Sequence, residues 1–206
     1  MTSLAVRGVE VAYREVHALG GVDLEVRRHD SVALIGRSGS GKTTLLHVLA
    51  GLVVPTGGTV EHNVTTSLVF QGANLLPQFT ALENVLFAQR ESASSTPGGG
   101  DEAERLLALV GLQDKLDHLP RELSGGEAQR VAIARSLAQQ PDVLLCDEPT
   151  GHLDFDTSAR VLDLIGALRQ HLGFALVIAT HDPGVAARCE RIVELHDGRI
   201  VSESTP

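Results

Sequence analysis

Residues 32–50 read Val32-Ala33-Leu34-Ile35-Gly36-Arg37-Ser38-Gly39-Ser40-Gly41-Lys42-Thr43-Thr44-Leu45-Leu46-His47-Val48-Leu49-Ala50. An apolar run leads into a glycine-rich segment, and a helix-compatible run leads out. The middle fits the phosphate-loop pattern G-x-x-x-x-G-K-[ST], with one further glycine inside it. Gly36, Gly39 and Gly41 let the backbone bend so that consecutive N–H groups point at an anion. The helix that follows adds its positive N-terminal end. Lys42 is in reach of β- and γ-phosphates, and the Thr43 hydroxyl suits Mg²⁺. Arg37, Ser38, Ser40 and Thr44 complete the set of loop residues expected to contact a bound nucleotide. The spacing therefore predicts a buried strand, an anion cradle and a helix in that order.

A second segment narrows the kind of nucleotide protein. Leu123-Ser124-Gly125-Gly126-Glu127 opens an amphipathic run over residues 128–138. Ser124 and Glu127 have capping-box spacing, which predicts a helix capped by Ser124. Two glycines in its first turn each cost roughly 1 kcal/mol of helix propensity. Gly125 and Gly126 make sense if a ligand approaches the backbone closely, and a helix N-terminus suits a phosphate.

A third segment, Val143-Leu144-Leu145-Cys146-Asp147-Glu148-Pro149, is an apolar strand ending in two carboxylates. A Mg²⁺-binding acid belongs at such a place in a phosphate-loop protein, and Asp147 is expected to hold the metal through water. Adjacent residues on an extended chain point to opposite sides, so Glu148 is free to aim elsewhere.

Leu123 to Glu127, with Ala128-Gln129-Arg130-Val131-Ala132-Ile133-Ala134-Arg135 behind it, resembles the signature of ATP-binding cassette (ABC) proteins. The usual form is LSGGQ, and Glu127 stands at its last position. The resemblance runs from about Val9 to Arg199. It implies an α/β fold: a P-loop NTPase core of ABC type with a small antiparallel β lobe and an inserted α-helical lobe. It implies ATP and Mg²⁺ as cofactors. Glu148 then matches the general base towards the attacking water. Gln71 matches the glutamine that contacts Mg²⁺ and that water and senses the transport partner. His181 matches the switch histidine at the γ-phosphate, and Tyr13 the aromatic that stacks on adenine, with core packing of the first strand as its alternative. Asp154, in Gly151-His152-Leu153-Asp154, would sit at a subunit junction. In the family two cassettes sandwich two ATP molecules, so Ser124, Gly125, Gly126 and Glu127 would face the ATP held by the Lys42 loop of a second copy.

The implied activity is Mg²⁺-dependent ATP hydrolysis that energises a separate membrane permease. Phe70-Gln71-Gly72-Ala73-Asn74-Leu75-Leu76-Pro77 and Asp147-Glu148-Pro149-Thr150-Gly151 look most like the lipoprotein-release and macrolide-export branch. Solute-uptake ATPases share much of this wording and stay an alternative. ABC ATPases that act on DNA or ribosomes carry coiled-coil or zinc insertions, or two cassettes per chain, and neither occurs here. An ATP-binding regulator without turnover is disfavoured by Glu148 and His181.

The bulk properties agree. At 206 residues and 43% hydrophobic, the chain can build one substantial core. Its net charge of −9 disfavours non-specific nucleic-acid binding. Apolar stretches are far short of a membrane span. The N-terminus lacks the basic region and apolar stretch of a signal peptide. The expectation is a cytoplasmic protein held at the inner face of the cell membrane through its permease. Cys146 and Cys189 are too few and too separated for a zinc motif.

Along the chain, strands are expected at residues 5–13, 22–26, 59–61, 67–70, 143–145 and 174–179. Helices are expected at 82–89, 102–109, 128–139 and 157–169. Pro55-Thr56-Gly57-Gly58 reads as a turn, residues 91–100 as a flexible loop, and Asp197-Gly198 as a hairpin turn. The whole is read as one ABC ATPase domain over residues 1–206. Residues 1–74 and 124–206 form its core with a reduced β lobe, and 75–123 its helical subdomain.

Overall fold

The computed structural model describes residues 3–14, 16–90 and 99–205. They divide into two compact units. The first holds the chain up to Leu68, Asp142–Glu148 and Phe174 onward; the second holds Val69–Pro141 and Pro149–Gly173.

In the first unit, β1 (Ser3–Tyr13) pairs antiparallel with β2 (Val16–Arg27) and with β4 (Gly57–His62). This three-stranded sheet is the small antiparallel lobe. A six-stranded sheet has the order β5 (Thr66–Val69), β6 (Val143–Asp147), β7 (Ala175–Thr180), β3 (Ser31–Ile35), β8 (Arg191–His196), β9 (Arg199–Ser204). The pairs β6–β7, β7–β3 and β3–β8 are parallel, while β9 returns antiparallel through the Asp197–Gly198 turn. Parallel strands covered on both faces should be apolar throughout. Every residue of β6 and of β7 is accordingly buried.

Helix α1 (Lys42–Leu49) presents Leu45, Leu46, Val48 and Leu49 to one core with Val32, Leu34, Leu145, Val177 and Val193. The antiparallel lobe adds Leu4, Val6, Leu19 and Leu24 to the same core. Truncating a fully buried leucine of this kind to alanine costs about 2–5 kcal/mol. The short helix α6 (Pro183–Ala186) follows β7.

The second unit is helical: α2 (Ala81–Arg90), α3 (Gly99–Leu109), a single 3-10 turn at Pro120–Glu122, α4 (Gly125–Leu137) and α5 (Phe155–Leu172). Asn84, fully buried on α2, fixes the loop before that helix. Its Oδ1 accepts from the Leu76 N–H at 2.8 Å, and its Nδ2 donates to the Phe79 and Thr80 carbonyls at 3.0 Å each. Arg135 of α4 donates to the Asn74 and Ala73 carbonyls at 2.7 and 3.0 Å.

Three details depart from the sequence reading. Gly57 and Gly58 are the first residues of β4 and not a turn, because Gly58 at φ 81 follows a bulge between Arg7 and Glu10 of β1. Strand β2 begins at Val16, six residues early, and passes the glycine pair Gly20–Gly21 with a register shift against β1, Gly21 standing at φ 85. Gly99 and Gly100 already belong to α3; residues 91–98, read as a flexible loop, lie outside the described residues.

Candidate functional site

The sheet topology brings three chain ends together. Ile35 of β3 pairs with Thr180 of β7, and Asp147 of β6 pairs with Ala179 of the same strand. The three parallel strands therefore stop at one edge, where ligands of open α/β sheets bind. The next residues are Gly36 of the phosphate loop, Glu148 and His181.

Residues 36–41 link β3 to α1, which starts at Lys42. The cap position is Gly41, at φ 104, and it offers no side-chain cap. The first-turn N–H groups of α1 thus stay available to an anion. Lys42 is buried, and its Nζ donates to the Gly36 and Arg37 carbonyls at 2.8 and 3.1 Å. The ammonium is thus held over the loop by weak neutral acceptors, which a phosphate can displace. The Ser40 hydroxyl is buried without a hydrogen-bond partner. Arg37, Ser38 and Gly39 are exposed or partly exposed at the loop's crest, as are Thr43 and Thr44 in the first turn.

The donor set also fits a hard divalent cation. The Thr43 hydroxyl hydrogen-bonds the carboxylate of Asp147. Burial pushes the Asp147 carboxyl above the usual carboxylate range, against the Thr43 bond and the charges of His47 and Lys42. A buried acid short of positive charge beside a hydroxyl is the kind of pair that Mg²⁺ joins through one carboxylate, phosphates and water. Among the described residues there is no group of three or more His, Cys, Asp or Glu that could hold a metal alone.

Glu148 reaches the site by a route the sequence hides. Strand β6 ends at Asp147, and Glu148 turns into the left-handed region at φ 43, costing of order 1 kcal/mol. Its N–H donates to the Ala179 carbonyl at 2.9 Å, so the turn is tied to β7. The strand alternation expected for this residue is replaced by that turn. Oε1 of Glu148 then lies 2.8 Å from Nδ1 of His181.

Tyr13 is the last residue of β1 and half exposed, at 50%. Its ring is not sequestered in the core.

In the helical unit the capping box is present. The Ser124 Oγ accepts from the Glu127 N–H at 3.3 Å, and Glu127 Oε2 accepts from the Ser124 N–H at 2.8 Å. These bonds and Lys115, whose Nζ lies 3.7 Å from Oε1, hold the Glu127 carboxyl below its ordinary range. The Ser124 hydroxyl also donates its own proton to the Glu127 carboxylate, which closes the box from both sides. Gly126 has a packing reason as well: a Cβ there would fall 2.5 Å from Cγ2 of Thr157. This end of α4 borders a cleft of about 510 Å³ that Arg130 and Arg160 also line. Asp154 caps α5 by accepting from the Thr157 N–H at 2.9 Å. Gln71 lies exposed just after β5.

The structure thus gathers Lys42, Thr43, Asp147, Glu148 and His181 in the first unit, and Ser124, Gly126, Glu127 and Asp154 in the second. Sequence reasoning missed Asn84 and Arg135, the residues that fix the loop behind Gln71. An amide on the buried face of α2 was the available signal for the first.

Residues 19–151 match the family model described as ABC transporter. The lipoprotein-releasing system ATP-binding protein LolD of Legionella pneumophila (strain Paris) is 43% identical, over 90% of this chain and 89% of that protein. LolD 1 of Caulobacter vibrioides is 42% identical over 95% and 93%. A dimeric, post-hydrolysis structure of the ATP-binding cassette MJ0796, bound to ADP and phosphate, superposes with a TM-score of 0.87 at 33% identity and covers 98% of both chains. Among the described residues no helix is long and apolar enough to cross a membrane. With the phosphate loop, the capped glycine helix and the acid pair in place, the chain belongs to the ABC transporter family, as its ATP-binding ATPase subunit.

Proposed function

We propose that this ATPase is Mg²⁺-dependent, works as a pair of copies, and drives a separate membrane permease that extracts or exports an apolar cargo. The observation that carries the catalytic part is the 2.8 Å pair of Glu148 and His181 beside the Thr43–Asp147 pair.

In this reading Tyr13 stacks on the adenine. The N–H groups of residues 36–44 and the Lys42 ammonium take the phosphates. Thr43 and Asp147 would hold Mg²⁺, and the family resemblance assigns Gln71 the part of a further ligand. A Mg²⁺ ion held there would offset the negative charge of the phosphates. Glu148 orients the attacking water and accepts its proton. His181 holds the Glu148 carboxylate with one ring nitrogen and turns towards the γ-phosphate with the other. Little covalent work falls to the protein, so rate comes from positioning and charge placement.

Ser124, Gly125, Gly126, Glu127 and Asp154 serve the ATP of the second copy. Support comes from the dimeric state of MJ0796. The direction of transport rests on the likeness to lipoprotein-releasing proteins. Such a subunit would sit at the inner face of the cell membrane, and residues 75–123 would be its helical subdomain.

The test is affinity purification of the tagged chain from detergent-solubilised membranes. Recovery of a multispanning membrane protein that couples to Mg²⁺-dependent ATP hydrolysis is the expected result. Recovery with nucleic acid or ribosomes instead would overturn the transport reading.

A further inference from the structure

The β8–β9 hairpin has no assigned part in nucleotide binding, yet its turn lies against the back of the phosphate loop. The Gly198 N–H donates to the Ser40 carbonyl at 3.0 Å. The Gly198 carbonyl in turn accepts from the Gly20 N–H of β2 at 2.9 Å. Space here leaves no room for side chains. A Cβ on Gly198, at φ 74, would fall 2.7 Å from the Ala18 carbonyl oxygen; one on Gly41 would meet the same oxygen at 2.7 Å and lie 3.5 Å from the Gly198 Cα. A Cβ on Gly36 would strike the Leu195 carbonyl at the end of β8.

The consequence follows from one peptide plane. The Ser40 carbonyl and the Gly41 N–H belong to the same peptide unit. That unit is trans, so the two groups point in opposite directions. Holding the carbonyl towards Gly198 turns the Gly41 N–H away from the hairpin, at the mouth of α1, where its positive end lies. We propose that Gly198 is a positioning residue for ATP binding: its N–H, anchored through Gly20, fixes the Ser40–Gly41 peptide so that the Gly41 N–H is presented to a phosphate. The hairpin is thus the outer wall of the nucleotide cradle, placed there by a stretch of chain more than 150 residues away from the loop in sequence. Free rotation of that peptide would present a carbonyl to the anion, which repels it.

The inference rests on nucleotide binding by the loop, which ADP binding to the unaltered protein tests on its own. Gly198→Ala is compared with Gly173→Ala, which strains another left-handed glycine, the C-cap of α5 at φ 79, outside this unit. Both substitutions lower the melting temperature. Only Gly198→Ala weakens ADP binding, by about tenfold, the size of one lost hydrogen bond to a charged group. A folded Gly198→Ala protein with ADP affinity within about twofold of the unaltered chain overturns the proposal. Should that variant fail to fold, amide exchange on the unaltered protein decides. ADP slows exchange at Gly198, whose N–H bonds to the loop and not to the ligand; unchanged exchange there overturns the proposal equally.

Discussion

His181 Nδ1 and Glu148 Oε1 stand 2.8 Å apart, joining the ends of two neighbouring parallel strands. Glu148 is held on the other side by its backbone, whose N–H bonds to Ala179 two residues before His181. The carboxylate therefore has one orientation fixed from both its side chain and its main chain. In the proposed role of general base this fixed orientation matters, since the water it handles must lie in line with the γ-phosphate.

Replacing Glu148 by Gln keeps the shape and the left-handed turn but removes the proton acceptor. ATP binding is expected to persist while kcat falls by about 10²–10⁴-fold, and ATP-bound dimers accumulate. His181→Ala leaves the base present but unheld, so kcat falls with a smaller change in the Michaelis constant. Single-turnover kinetics separate the two; hydrolysis at the original rate in Glu148→Gln removes Glu148 from this role.

Asp147 carries a cost that its proposed part in holding a metal would account for. Its carboxyl titrates above the ordinary carboxylate range, chiefly because it is buried. A group whose folded pKa is raised binds protons more tightly in the folded state. The metal-free protein therefore loses stability as pH climbs from the ordinary carboxylate value to the folded value, and is level above it. Asp147→Asn removes the buried charge. In the presence of a chelator it is expected to melt about 2–4 °C higher at neutral pH, the shift that roughly 1 kcal/mol makes in a chain of this size. The same variant loses hydrolysis. A lower melting temperature would show that the ionised carboxylate stabilises the fold through Thr43 and Lys42.

Tyr13 offers a ring at the end of β1, half exposed and without a hydrogen bond among those found for the described residues. Tyr13→Phe is expected to leave ATP affinity nearly unchanged. Tyr13→Ala weakens it several-fold with kcat preserved, because only uniform binding is lost. Equal losses from both variants point to the hydroxyl instead.

At the signature helix two roles overlap and can be separated. Ser124→Ala removes one cap bond and costs about 1 kcal/mol of stability. Gly126→Ala must push Thr157 aside, since the new Cβ would lie 2.5 Å from its methyl group. The double variant Gly126→Ala, Thr157→Ser removes that obstacle. It is expected to recover the melting temperature but not the ATP-driven dimer, which depends on open backbone at α4. Recovery of both by the double variant assigns Gly126 to packing alone.

Much of this was legible because the chemistry is local in sequence. The loop around Lys42, the capping box of Ser124 and Glu127, and the acids after β6 each announce themselves within ten residues. Periodicity also gave most elements, since strands buried on both faces, such as β6 and β7, cannot be anything but apolar runs. What stayed hidden depends on distant chain segments. Nothing near Glu148 reveals that it sits at φ 43. The bond from Gly198 to Ser40 joins positions at opposite ends of the sequence. Gly57 and Gly58 look like a turn because their partner, the bulge in β1, is fifty residues upstream. The tie from Arg135 to the carbonyls behind Gln71 spans sixty positions and has no local pattern.

The central claim is that each ATP is served by the phosphate loop of one copy and the signature of another, and complementation of two broken chains tests it most directly. Lys42→Ala disables the loop, and Ser124→Arg blocks the end of α4 with bulk and charge. Each variant alone has both composite sites broken. In a mixed dimer the intact Lys42 of one chain faces the intact Ser124 of the other, so one site is whole and the second is doubly broken. Purified mixed dimers are predicted to trap one ATP per dimer, where either homodimer traps none. Mixed dimers that trap no ATP, or Ser124→Arg homodimers that trap it as the unaltered protein does, would contradict the shared site and leave each chain to hold its ATP alone.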